Sequence, residues 1–133
     1  MKKLLVLLLT VSLCLGISTH TFARAPDVSP RWNNILRLSS SIIFDGTDGT
    51  ASGSVLGRSG TTSISGSLTV YRQSGSNWVY VGSTSGTSAN NKLTMEYDFT
   101  SIIGGYYKAV YEVTVTIDGN DETETKTTYG MCN

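Results

Sequence analysis

Apolar and polar side chains alternate with a period of two through most of this chain, and that alternation restricts it to β-structure. The clearest run is Tyr107 to Ile117, with Tyr107, Ala109, Tyr111, Val113, Val115 and Ile117 on one parity. Lys108, Glu112, Thr114 and Thr116 take the other, and only Val110 breaks the rule. Successive side chains of a strand point to opposite faces, so the run has one face for a core and one for water. Leu93 to Phe99 repeats the pattern without exception. No stretch of the exported part carries a helical period of 3.6.

Further strands are expected at Leu38–Phe44, around Val55, at Ser63–Tyr71, at Trp78–Val81 and at Glu122–Tyr129. In Ser63–Tyr71, Ile64, Leu68 and Val70 face inward and Gly66 leaves room for a close neighbour. Turn pairs separate these runs at strand-plus-turn intervals: Asp45-Gly46, Asp48-Gly49, Ser59-Gly60, Ser74-Gly75, Ser85-Gly86, Gly104-Gly105 and Asp118-Gly119. Asp118-Gly119-Asn120 reads as a tight hairpin, and Ser83–Asn91 as a polar loop. Pro26 and Pro30 precede every strand, so no ladder loses a donor to proline. The expectation from alternation and turns is an all-β fold, an antiparallel β-sandwich of about seven strands.

The N-terminus is of another kind. Met1-Lys2-Lys3, the apolar run Leu4–Ile17 and Phe22-Ala23-Arg24-Ala25 fit a cleavable secretory signal peptide. The run is shorter than the ~20 apolar residues that span a bilayer. Cleavage is expected after Ala25, with Ala23 as the alternative. The division is therefore 1–25 signal peptide, 26–34 extended segment and 35–133 sandwich, with the product secreted and extracellular. Cys14 sits inside the apolar run behind Leu13, which does not suit a lipid-attachment site.

Export removes Lys2, Lys3 and Arg24 from the ten basic residues, leaving seven against ten acidic ones. That balance excludes a basic nucleic-acid footprint, and no second membrane-length segment follows. Ser, Thr and Gly make up 44 of the 108 remaining residues, but two Trp, seven Tyr and the regular apolar faces argue against disorder. His20, the only histidine, leaves with the signal. Without imidazole there is no Ser-His-acid triad, Cys-His pair or histidine metal site. The chain reads as no enzyme, with no cofactor. Cys132 is the one remaining cysteine, so it is either an inert tail residue or the link of a disulfide-joined dimer.

Taken together, Ser29-Pro30-Arg31-Trp32, Ser52-Gly53-Ser54-Val55, Ser59-Gly60-Thr61-Thr62, Ser74-Gly75-Ser76-Asn77-Trp78 and Gly105-Tyr106 resemble a family of small secreted proteins from Gram-positive bacteria. The similarity covers the whole exported chain. It implies an immunoglobulin or fibronectin type III sandwich and transfers no catalytic residue. Such proteins often carry a Cys before the Ser-Gly-Ser-Val stretch, which the resemblance would pair with a C-terminal Cys. Here that position is Ala51.

The remaining side chains offer three chemistries. Tyr71, Tyr80 and Trp32 are candidate ligand-binding residues, because exposed Tyr and Trp suit sugar or protein surfaces. Trp78, Tyr107 and Tyr111 are expected in the core, and Tyr106 or Tyr107 could form a tyrosine corner. Asp118, Asn120 and Asp121 are weak calcium candidates that lack the usual loop spacing and equally suit a hairpin. Asp45 and Asp48 are read the same way. Glu96 and Asp98, with Glu112 on a neighbouring strand, would be the carboxylates of a glycoside hydrolase, the reading the sequence favours least. The expected function is a non-catalytic binding or adhesion module for an extracellular protein or glycan. A structural, assembly or bacteriocin-like role is the alternative.

Overall fold

A computed structural model describes residues 31–133, and the signal-peptide reading lies outside the described residues. Seven strands follow in order: β1 (Ile35–Asp45), β2 (Asp48–Gly57), β3 (Thr61–Ser74), β4 (Asn77–Ser88), β5 (Lys92–Thr100), β6 (Tyr106–Ile117) and β7 (Asn120–Met131). All pairings are antiparallel, in a three-stranded sheet β1-β2-β5 and a four-stranded sheet β4-β3-β6-β7. The all-β, two-sheet, seven-stranded expectation holds.

The core is what the alternation required. Ile64, Leu68 and Val70 of β3 and Tyr107, Ala109, Tyr111, Val113 and Val115 of β6 are buried against Ala51, Val55, Leu93, Met95 and Phe99 of the facing sheet. Glycine lets the sheets meet around large rings. A Cβ on Gly53 would fall 2.5 Å from the Tyr111 ring, and one on Gly82 would collide with the Tyr97 hydroxyl. Tyr111 is fully buried, and desolvation pushes its phenol up to about 12.

The residues Ser83–Ser88 are strand, not loop. From Gly82 on, the inward positions of β4 are Gly82, Thr84, Gly86 and Ser88, all small, with Tyr97 over Gly82 and Leu93 and Met95 over Gly86. A strand covered by its neighbours' side chains needs few apolar groups of its own, so it carries no hydrophobic signal.

The residues before β1 are anchored. The Glu122 carboxylate on β7 accepts hydrogen bonds from the backbone N–H groups of Asn33 (2.8 Å), Asn34 (2.6 Å) and Ile35 (2.9 Å). The Asn34 side-chain amide donates to the carbonyls of Val115 and Asn120. Burial alone would raise the Glu122 carboxyl. The three N–H donors and the charge of Arg58 outweigh it and hold the carboxyl below its ordinary value of 4.5.

At the other end, the Tyr107 hydroxyl accepts a 2.8 Å hydrogen bond from the Ile102 backbone N–H, five residues upstream. This is a tyrosine corner at the start of β6.

Candidate functional site: an aromatic belt on the four-stranded sheet

Cross-strand register assembles one row of side chains on the outer face of the four-stranded sheet: Tyr80 opposite Tyr71, Tyr71 opposite Lys108, and Lys108 opposite Tyr129. Tyr71 and Tyr80 therefore meet as expected, edge to face with ring centres 6.2 Å apart. Trp78, two residues before Tyr80, and Tyr106, two before Lys108, lie on the same face. The Trp78 ring centre is 6.0 Å from both Tyr106 and Tyr129, and those two tyrosines stack within 11° of parallel. The Lys108 ammonium lies 4.5 Å from the centre of the Trp78 ring and 5.1 Å from that of Tyr71. Five aromatic rings and one cation form a belt across four strands. Tyr80 is 60% and Tyr129 54% exposed.

A bulge on β4 makes this possible. Val70 pairs with Gly82 but Tyr71 pairs with Tyr80, so Val81 is an extra residue. Beyond it, even-numbered residues of β4 point inward; before it, they point outward. The bulge thus turns Trp78 and Tyr80 to the surface. Trp78 is expected in the core from the sequence, and this one residue is why it is not there. Val81 itself packs against the core.

The belt continues into apolar surface at the same end of the sandwich. Gly105 N–H closes a turn onto the Ile102 carbonyl (2.8 Å), with Gly104 at φ 79°. Ile102 and Ile103, in the turn that leads into Tyr106, are exposed, as is Met131 opposite Tyr106.

Trp32 does not join the belt. It packs partly buried against the core, and its carbonyl accepts a 3.3 Å hydrogen bond from Arg58, beside the start of β3. Tyr71 lies toward the opposite end of that strand, with Tyr80 beside it on β4. The belt residues that sequence reasoning did not assign to a binding surface are Trp78, Tyr106, Tyr129 and Lys108. The parity that Trp78 shares with Tyr80 was the available signal.

Cys132 is not on an exposed tail. It is fully buried, its thiol 3.1 Å from the Gly46 carbonyl oxygen and 3.1 Å from the Ser101 hydroxyl. Its backbone donates to Gly105 and accepts from Gly104. A disulfide to a second chain would require this end of the fold to open, so the folded domain does not offer Cys132 for linkage.

The Asp118–Asp121 segment is a hairpin turn, with Asp118 and Gly119 both at positive φ and Ile117 paired to Asn120. The Asp121 carboxylate accepts a 2.7 Å hydrogen bond from Thr116, and the Asn120 side chain donates to the Asp118 carbonyl. The Asn120 and Asp121 side chains are thus engaged in closing the turn, to which Asp118 contributes its backbone. Among the described residues, no three His, Cys, Asp or Glu side chains gather as a metal site.

The expected neighbourhood of Glu112 is corrected. Glu96 and Asp98 lie on β5 of the three-stranded sheet, whereas Glu112 lies on β6 of the other, and all three are exposed. With the core between the two sheets, Glu112 cannot join Glu96 and Asp98 around one substrate. Asp98 is hydrogen-bonded by Thr50 at 2.7 Å.

No protein-family model matches the chain, and no curated protein matches it in sequence. Among solved structures it is similar to Spo0M, a sporulation control protein from Bacillus subtilis, with a TM-score of 0.41 and 11% identity. The similarity covers 77% of this chain and 51% of that one, so the chain spans about half of its neighbour's length.

Proposed function

We propose that the protein is a secreted, non-catalytic binding module of the immunoglobulin-like class, and that the aromatic belt is its binding surface. The observation that carries the reading is the belt itself: five rings on one face, held in register by four strands, with Tyr80 and Tyr129 more than half exposed. Large, stiff aromatic side chains supply contact area at low entropic cost, and regular strands preorganise them better than loops do. The immunoglobulin-like assignment is supported by the division of strands into β1-β2-β5 and β4-β3-β6-β7, by short turns, and by the tyrosine corner at the start of β6. Secretion is supported by the charged, apolar and small-residue succession of residues 1–25.

The test is retention on insoluble extracellular material from the producing culture. Protein exported from the full chain should be retained, and a Tyr71→Ala/Tyr80→Ala/Tyr129→Ala variant should wash off. A control variant on the other sheet, Arg37→Ala/Lys92→Ala, should be retained like the parent. Equal retention of the belt variant would overturn the assignment of the surface.

A further inference from the structure

The belt is the end of a longer ordered face. Register continues it along the strands into three more rows: Ser83–Thr69–Val110–Thr127, Ser85–Ser67–Glu112–Thr125 and Thr87–Ser65–Thr114–Thr123. Ten of these twelve side chains carry a hydroxyl, and the only charge among them is Glu112. From the aromatic row to the last hydroxyl row the face runs about 20 Å along the strands, and about 14 Å across them.

We infer that this face binds a neutral polysaccharide, its sugar rings stacked on the belt and its hydroxyls meeting the Ser/Thr rows. A sugar ring is amphipathic, with a C–H face and a rim of hydroxyls. The combination of flat aromatic rings and a carpet of hydroxyl donors and acceptors matches both halves. Other partners fit less well. An anionic polymer or lipid surface would need several free cations, but Lys108 is the one cation in the four rows and it lies over two rings. A protein interface concentrates apolar residues at its centre, whereas on the two central strands of this face Val110 is the one apolar side chain beside Ser65, Ser67, Thr69, Glu112 and Thr114. This inference rests on the belt being the binding surface.

The experiment is affinity electrophoresis of the protein exported from the full chain, in native gels containing hydroxyethylcellulose, xylan or polygalacturonate, with flotation on phosphatidylcholine vesicles alongside. Retardation by a neutral polysaccharide is expected. Trp78→Ala or Tyr129→Ala should weaken it about tenfold, and Tyr129→Phe, which keeps the ring, should weaken it much less. Ser67→Ala/Thr69→Val should also weaken it, and Thr50→Ala/Ser52→Ala on the other sheet should not. Circular dichroism of each variant separates loss of fold from loss of binding, and the Phe variant carries the test if an Ala variant unfolds. Retardation only by polygalacturonate, binding only to vesicles, or no retardation by any neutral polysaccharide overturns the glycan class. If the belt variants nonetheless lose retention on the extracellular material, the belt reading survives that failure. Polysaccharide binding that is indifferent to Trp78 and Tyr129 overturns both.

Discussion

The ammonium of Lys108 on β6 stands 4.5 Å from the centre of the Trp78 indole on β4, reaching across β3 to do so. The two residues tie the far edge of the sheet to its middle. Replacing the charge while keeping the stem, Lys108→Met, should cost about 0.5–1 kcal/mol. The shift in the urea midpoint measures it, and in a Trp32→Phe background the emission of Trp78 should change with it.

The Val81 bulge decides which way Trp78 faces, so removing it should do more than shorten a strand. Deletion of Val81 would turn Trp78 and Tyr80 inward, where Gly82 and its neighbours leave no room. The cost should exceed about 3 kcal/mol, from overpacking and exchanged faces together. Conservative Val81→Ile should be tolerated within about 1.5 kcal/mol. Thermal unfolding of the two variants makes the comparison.

Much of this architecture is legible in the sequence alone. Tyr107 to Ile117 and Leu93 to Phe99 announce their faces because each buries one side only. Asp118-Gly119 announces its hairpin because few other residues accept positive φ at both turn positions. The second half of β4 is not legible, since its inward positions are small residues lying under Tyr97, Leu93 and Met95. The belt is legible in part. Tyr71 and Tyr80 follow from local parity, but bringing Tyr129 beside them depends on pairings between strands far apart in sequence. The burial of Cys132 also escapes, because a residue next to the chain end carries no periodicity to place it.

Glu122 holds the backbone of Asn33, Asn34 and Ile35 in the ionised form. Its pKa is depressed in the folded state, so its contribution is present above 4.5 and is lost as pH falls through the folded value. Glu122→Gln should cost about 1–3 kcal/mol at neutral pH. The gap to the parent should narrow under acid conditions, as read from urea midpoints at a series of pH values.

Tyr111 titrates in the opposite sense. Its phenol is raised from 10.0 to about 12 by burial. The unfolded chain therefore ionises first, and the stability tied to the neutral phenol is complete below pH 10 and lost as pH rises toward 12. Tyr111→Phe should flatten the alkaline fall in melting temperature.

Cys132 should be inert to a thiol reagent in native buffer and react fully in denaturant, with the native protein running as a monomer on a non-reducing gel. Tyr107→Phe, which removes the acceptor for the Ile102 N–H, should cost about 1–2 kcal/mol and speed labelling of Cys132, because the same turn covers both.

The most direct measurement is the fluorescence of Trp78 as the only tryptophan, in a Trp32→Phe protein, during titration with whichever extracellular polymer retains the domain. If the belt is the binding surface, emission changes saturably, and the change disappears when Tyr80 and Tyr129 are replaced by Ala. Saturable binding that leaves the indole's emission untouched would contradict that assignment.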